Sequence, residues 1–300
     1  MTYSRIAVST DFSEASFRSF PVAASLARKF LSEIHVVHLA QISPAMIAPW
    51  PEVGPFVMPD NILEDVERKL VEVIAREPSF EGLTVKPRVA MGEVVDVLAD
   101  VIQDAEIGLL VIASQGLSGV KRFFLGGFVE KVLRSIACPA LVIPGPEAGE
   151  RPGPFHPTRI LIPNDFSVTS QAAAARAREW ARTFGARARL LFVVEQTASL
   201  YDYAARMEGS YAEYLEKVRL EALERFRRRI RDEWKDVEAE AGAVVGEPAE
   251  EILRDAKAFG ADLIVLGAHS RSDLARFFLG SVTQKVLRKS HTPILVVRGG

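Results

Sequence analysis

The 300-residue chain is predicted to be an α/β protein of two tandem, doubly wound domains, each built on a five-stranded parallel sheet of Rossmann-like type. Three features carry that prediction. One half of the chain repeats the other without a gap, short apolar runs alternate with helical patterns in each half, and a Pro/Gly-rich stretch lies at the midpoint. Length agrees, because domains of about 100 to 200 residues place roughly two in such a chain.

The repeat is explicit. Arg5-Ile6, Asp11-Phe12-Ser13 and Ser16 recur as Arg159-Ile160, Asp165-Phe166-Ser167 and Ser170, a shift of 154 residues. The same shift carries Gly92-Glu93 onto Gly246-Glu247. It also carries Arg122-Phe123-Phe124-Leu125-Gly126 onto Arg276-Phe277-Phe278-Leu279-Gly280, and Lys131-Val132-Leu133-Arg134 onto Lys285-Val286-Leu287-Arg288. Residues 144–157 hold five prolines and three glycines in fourteen positions, a composition that continues neither a helix nor a central strand. The expected division is therefore a domain over 1–145, a linker over 146–157 and a second domain over 158–300.

Strands are expected at 6–9, 34–40, 83–89, 109–113 and 140–143, and in the second copy at 160–162, 188–194, 237–241, 263–267 and 294–297. Runs this short, separated by helices, require right-handed crossovers and give a mostly parallel sheet covered on both faces. Phe20, Ala23, Ala24, Ala27, Phe30 and Leu31 recur at helical spacing. Pro21 lies inside that stretch, so the first helix is expected to start late or to kink. Ser13 and Ser167 read as helix-start signals.

Composition narrows the function. With 48 % hydrophobic, 25 % charged and 8 % aromatic residues the chain is ordinary globular protein. A net charge of −2 lacks the basic excess of a nucleic-acid or anionic-membrane binder. The single cysteine, Cys138, excludes an internal disulfide framework or a multi-cysteine metal site and is expected as a small buried hydrophobe. No uncharged apolar run approaches the roughly 20 residues that span a bilayer, and the N-terminus enters the first strand without a signal sequence. A soluble cytoplasmic protein is expected, with neither nucleic acid nor membrane as a partner.

In a doubly wound sheet, ligands bind beyond the carboxyl ends of the strands, where the chain order reverses. Two features of each copy map there: Asp11 or Asp165 at the end of strand one, and the loop after strand four that leads through Gly126 or Gly280 into a helix. In the second copy this loop runs from Gly267 to Thr283. A glycine and two hydroxyl residues at a helix start place bare N–H groups and side-chain donors at the positive end of the helix dipole, which suits a phosphate chain. Gly267 and Gly280 would also let a ligand approach the backbone. The plainer alternative is that Ser281 only caps the helix.

These residues resemble the universal stress protein family. The strand leading into Asp-Phe-Ser, the Gly-Glu start of the third helix and the strand-four loop patterned Gly-x2-Gly-x9-Gly-Ser/Thr carry the resemblance, twice, over nearly the whole chain. It implies an adenine nucleotide alpha hydrolase-like variant of the fold. It also implies a tandem member whose sheets pair through their last strands, 140–143 against 294–297, as an internal pseudo-dimer, with a homodimer left open. In family members that bind ATP, the loop holds ribose and phosphates, the strand-one Asp faces adenine, and a small apolar residue on strand two lines the base pocket. The resemblance thus implies Pro163, Asn164, Asp165, Val193, Gly267, Ser270, Gly280, Ser281 and Thr283 as nucleotide-binding residues, with ATP, alone or with Mg, as the ligand. Ser270 replaces the family's middle glycine; a positive φ there disfavours serine, although its hydroxyl can donate to phosphate.

The first copy departs further, reading Ala113-Ser114-Gln115-Gly116 and then Gly126-Gly127-Phe128-Val129. Gly127 and Val129 stand where the second copy has Ser281 and Thr283. A hydrogen bond to a charged group contributes about 1.5–3 kcal/mol, so losing two hydroxyl donors weakens binding by one to a few orders of magnitude. Asp11, Leu39, Gly116, Gly126 and Gly127 are left as a weaker second site.

Other patterns carry less. There is no Gly-x4-Gly-Lys-Ser/Thr loop and no Gly-x-Gly-x-x-Gly after a first strand. His35, His38, His156, His269 and His291 show no paired ligand spacing; His38 reads as a core residue and His269 as a loop residue within reach of a phosphate. The basic run from Arg225 to Arg231 follows Glu221 and Glu224 in the order that pairs along a helix, Glu221 with Arg225 and Glu224 with Arg228, so it reads as a solvated face. The proline-rich stretch 42–60, with Trp50 and Phe56, reads as a long loop over a pocket, over a partner surface, or as passive structure; its counterpart, with Tyr201 and Tyr203, has no proline. The leading expectation is a stress-response protein that binds ATP or another adenine nucleotide, mainly in its second domain, as a regulatory ligand. An interaction module without nucleotide is the alternative. A weak ATPase is a third reading, for which the loop offers no convincing general base.

Overall fold

The structure, a computed structural model, describes residues 3–41, 61–114, 127–145, 153–196, 211–268 and 279–298. The chain divides into two compact units, Met1–Phe155 and His156–Gly300. The proline-rich stretch 42–60, Tyr201, Tyr203 and His269 fall outside the described residues.

Unit 1 contains strands β1 (Arg5–Thr10), β2 (Glu33–Gln41), β3 (Val85–Gly92), β4 (Leu109–Ala113) and β5 (Ala140–Ile143). Its helices are α1 (Glu14–Phe17), α2 (Ser19–Phe30), α3 (Ile62–Arg76), α4 (Val94–Asp104) and α5 (Gly127–Ser135). The strands form a parallel sheet in the order β3-β2-β1-β4-β5. Unit 2 contains β6 (Arg159–Pro163), β7 (Arg187–Glu195), β8 (Ala239–Gly246), β9 (Leu263–Gly267) and β10 (Ile294–Val297), with helices α6 (Val168–Phe184), α7 (Tyr211–Glu233), α8 (Pro248–Phe259) and α9 (Ser281–Lys289). Its sheet runs β8-β7-β6-β9-β10, again parallel. The order reverses between β1 and β4, and between β6 and β9, which opens a crevice at the carboxyl ends of those strands. No described helix is long and apolar enough to cross a membrane.

The central strands are buried on both faces, which is why they read as unbroken apolar runs: Leu109 to Val111 and Leu263 to Val265 are fully inaccessible. Most predicted strands match or extend by one residue at each end. The third differs, since β3 and β8 begin two residues after the predicted starts and run on to Gly92 and Gly246. Both lie at the outer end of their unit's sheet, and in β3 Lys86, Pro87 and Arg88 interrupt the apolar signal. The glycines end them for a steric reason. A Cβ on Gly92, whose φ is 149°, would lie 2.7 Å from Val97 Cγ2, and one on Gly246 would lie 2.6 Å from Glu251. The repeated Gly-Glu pair thus lets the following helix fold tightly back over the strand.

Ser13 and Ser167 cap their helices by accepting from the N–H of Ser16 and Ser170. Helix α6 then runs unbroken, whereas in unit 1 the helix is interrupted at Arg18, ahead of Pro21, which has no N–H to donate back toward the preceding turn. Cys138 is only half-buried, a correction to the expectation of full burial. In the basic run, Arg227 pairs with Glu224 at 2.6 Å and Arg229 with Glu233 at 2.9 Å, while Arg225 lies over the Phe166 ring. The solvated face was legible, but its pairing was not.

The two units meet the same needs with different residues. Glu33 on β2 pairs with Lys86 on β3 at 2.9 Å; at the shifted positions Arg187 pairs with Glu240, so the ion pair recurs with its signs exchanged. Beside it, the His35 Nε2–H donates to Glu33 over 2.6 Å and its Nδ1 accepts from Arg88 Nε over 3.4 Å. Unit 2 has Arg189 in place of His35, bound to both oxygens of Asp255 at 2.8 and 3.0 Å and to Glu240 at 2.6 Å. The residue at the Arg88 position is Gly242, where a Cβ would lie 3.0 Å from the Arg189 guanidinium. One cation fills that layer in each unit, from β3 in the first and from β7 in the second.

Helix C-caps differ too. Gly185 and Gly260 adopt left-handed backbone, whereas unit 1 has Leu31 (φ 57°) and Glu106 (φ 47°) at those positions. Glu106 is held by Arg5 at 2.7 Å, but Leu31 is 91 % exposed. Left-handed backbone costs a residue with a Cβ about 1–2 kcal/mol, so Leu31→Gly is expected to stabilise unit 1 by about 1 kcal/mol in urea unfolding. An unchanged or lower midpoint contradicts this.

Burial pushes the His35 and His38 imidazoles below the ordinary histidine range, against the pull of Glu33 on one and the Thr10 carbonyl on the other. A histidine whose folded pKa is depressed contributes stability above its unfolded value and loses it as pH falls through the folded one, because the unfolded chain binds more protons. Unit 2 has Arg189 and Phe192 at these positions. Acidification from about pH 7 to about pH 5 is therefore expected to lower the unfolding midpoint of the protein, and His38→Phe to shrink that decrease. An equal decrease in the variant rules out the His38 contribution.

Candidate functional site

The site of unit 2 begins where β6 hands over to α6. Pro163 ends the strand and Asn164 follows, buried. Its Nδ2 donates to the Ser170 carbonyl over 2.9 Å, and its Oδ1 accepts from the Phe166 N–H at 2.9 Å and from Ser170 Oγ at 3.3 Å. Asp165 accepts the Ser167 N–H at 3.1 Å. These bonds hold Phe166 in left-handed backbone (φ 64°), a conformation that surroundings must over-determine. Unit 1 builds the same turn with a shorter side chain. Thr10 Oγ1 accepts from Phe12 N–H at 3.0 Å and shares a 2.9 Å bond with Ser16 Oγ, Asp11 accepts from Ser13, and Phe12 has φ 62°.

The second wall is the end of β9. A Cβ on Gly267 would lie 2.9 Å from the Thr169 carbonyl carbon and 3.1 Å from Ser170 N, so glycine is required there by the close passage of α6. This packing role of Gly267 is additional to the ligand approach expected of it from the sequence. Gly280 is the N-cap of α9, in extended backbone and with no side-chain cap, and its N–H donates to the Ala268 carbonyl over 2.8 Å. Ser281 is the exposed first residue of the helix and is not its cap. Thr283 is buried, and its hydroxyl donates to the Gly267 carbonyl over 2.9 Å. Its proton therefore ties α9 to β9, so the two hydroxyl donors counted from the sequence reduce to one, that of Ser281.

Between these walls lies a cavity of about 360 Å³, lined by Pro163, Asn164, Asp165, Val193, Gly267, Gly280 and Thr283 of the predicted set. Ser281 is outside the lining, and Ser270, Gly116 and Gly126 fall outside the described residues. The remaining wall was missed from the sequence. It comes from Tyr214, Leu215 and Val218 on α7, Pro248 and Ile252 on α8, and Phe192 and Glu195 on β7. Leu215, Val218, Ala222 and Phe226 do follow helical spacing, a signal for one inward face. Among the described lining residues the only charged side chains are the carboxylates of Asp165 and Glu195. The cavity is thus largely apolar at the α7 and α8 side, while the first turn of α9 supplies N–H groups without intrahelical acceptors at the other. Such a space suits a flat ring joined to an anionic chain.

Nearby, Glu247 caps α8 by accepting the Glu250 N–H at 2.8 Å and pairs with Lys285 at 2.7 Å. Burial pushes its carboxyl up, but Lys285 and the backbone N–H groups outweigh this and hold it below the usual carboxylate range. The glutamate of the second Gly-Glu pair is in that sense a structural cap, whereas Glu93 of the first stands at the N-cap of α4 without a side-chain bond to it. Among the described residues no group of three or more His, Cys, Asp and Glu side chains is arranged to hold a metal ion.

Unit 1 places Leu39 half-buried at the end of β2 and Gly127 at the first position of α5, where a Cβ would meet nothing within 4 Å. Val129, buried, stands in place of Thr283. Phe12 stacks on His38 at 4.0 Å with Lys69 Nζ 4.4 Å from its ring, whereas in unit 2 Phe166 packs on Phe192 and Phe226 with Arg225 4.0 Å from its ring.

Comparison with known proteins agrees with the fold described above. The model of the universal stress protein family matches residues 2–144 and again 157–298. A universal stress protein of Mycolicibacterium smegmatis is 26 % identical over 301 residues, covering 98 % of this chain and 96 % of that one. One from Thermus aquaticus is 37 % identical over 139 residues, which span 46 % of this chain and 97 % of that protein. The crystal structure of a universal stress protein from Archaeoglobus fulgidus covers 99 % of this chain and 96 % of its own, with a TM-score of 0.69 at 20 % identity, a likeness of fold. Matched twice over nearly its whole length, the chain belongs to the universal stress protein family.

Proposed function

We propose that unit 2 binds ATP or another adenine nucleotide in this cavity as a regulatory ligand in the cytoplasm, and that unit 1 binds it weakly or not at all. The supporting observation is the convergence on one cavity of seven residues that the family's ATP-binding pattern picks out in the second copy. The base would lie against Val193 and the apolar face of α7, and the phosphates, with any Mg they carry, at the start of α9. Bound ligand shifts conformation or assembly only as far as the two states bind it differently.

The asymmetry between the units rests on two positions. Gly127 removes the one free hydroxyl of the helix start, a difference of about 1.5–3 kcal/mol, or roughly tenfold to a hundredfold in affinity. Val129 removes the tie that Thr283 makes to Gly267.

ATP at about a hundred times its dissociation constant is expected to stabilise the full chain by about 2.7 kcal/mol, seen as a rise in Tm. Gly280→Val, which puts a branched side chain at the cavity rim, is expected to abolish the rise. No shift at millimolar ATP favours the interaction module, and sustained ADP release lost in the variant favours an ATPase. Thr283→Val, which copies unit 1, is expected to cost about 1 kcal/mol of ligand-free stability and to weaken ATP binding together with it. Full retention of both leaves the Thr283 tie without a role.

A further inference from the structure

We propose that Tyr214, on the first turn of α7, is a ligand-contacting residue of this cavity, on which the flat ring of the ligand stacks. The inference rests on the nucleotide reading above and extends it to a helix outside the residues which that reading uses. Tyr214 lines the cavity together with Leu215 and Val218 of the same helix. It is also 48 % exposed, and it is the one aromatic side chain among the large hydrophobic residues that the described structure leaves open to water. An aromatic ring that both borders a cavity and faces solvent gains by being covered, and a planar ligand covers it best.

Charge points the same way. The charged side chains among the described lining are the carboxylates Asp165 and Glu195, so they offer no attraction to an anionic ligand. Affinity for the ring part must come from apolar and aromatic contact, to which Tyr214 is the largest exposed contributor. In sequence, the shift of 154 residues sets Asp60, which lies outside the described residues, against Tyr214. Tyr214 is therefore a further source of asymmetry in sequence, beside Ser281 and Thr283, and one that acts on the ring.

The test is calorimetric titration of the full chain with adenosine and, separately, with ATP. Stacking of a base on an aromatic side chain predicts that Tyr214→Ala weakens both ligands by a similar factor, about tenfold or more. Tyr214→Phe keeps the ring and is expected to stay within about twofold of the parent, whereas Tyr214→Leu, apolar but not aromatic, is expected to weaken both. The Tm without ligand is expected to be the same in all three, because the side chain is half in water. Unchanged affinity in Tyr214→Ala, parental affinity in Tyr214→Leu, or a loss confined to ATP each overturns the stacking role. A parent protein that binds neither ligand overturns the nucleotide reading itself, and this inference with it.

Discussion

The close passage of α6 over the end of β9 is the constraint on which the rest of the second unit's site depends. There is no room for a Cβ on Gly267, because the backbone of Thr169 and Ser170 lies about 3 Å from where it would be. Asn164 draws that helix start inward through the Ser170 carbonyl, and Thr283 fastens the start of α9 to the Gly267 carbonyl. Two strand ends, of β6 and β9, and two helix starts, of α6 and α9, are thereby set by a few short polar bonds in a buried place, where an unmade bond is expensive. The cavity is the space those bonds leave. Its inner side is held by the bonds of Asn164 and Thr283, and its outer side is formed by Tyr214, Leu215 and Val218 of α7.

Duplication lets each unit act as a control for the other. Where both keep the same geometry with different residues, the geometry is the requirement. The left-handed turn after β1 and β6 persists although Thr10 replaces Asn164, and a cation persists beneath the sheet although it comes from Arg88 in one unit and Arg189 in the other. Where the residue and its bond both change, as from Thr283 to Val129, the requirement itself has been dropped. By that criterion the fold of the strand-one turn is common to both units, and the tie between α9 and β9 belongs to the second alone.

The strands, their order of appearance and the helix caps at Ser13 and Ser167 were legible because each depends on neighbours in sequence: alternation of apolar runs with helical spacing, or a hydroxyl three residues before an N–H. Strands β3 and β8 were displaced by two residues because polar residues break the apolar run of an outer strand, as Lys86 and Arg88 do in β3, and because its end lies against a side chain five residues further on. The candidate site was legible as a list. Seven of its residues line one cavity, and the structure adds reasons that the sequence did not show, since Gly267 also answers to helix packing and Thr283 to a carbonyl sixteen residues away. The α7 wall was absent from that list because its helical spacing says only that one face is inward, not what it faces.

The sequence by itself determined a duplicated doubly wound fold and the location of its crevices, because hydrophobic period, turn residues and a constant offset are properties of the chain alone, and its motifs carried the resemblance to the family. Only the tertiary structure decided which hydroxyl is tied to backbone, which glycine is steric, and that Tyr214 borders the cavity. Those outcomes depend on atoms brought within about 3 Å by packing, and no local pattern records which partner a side chain will meet.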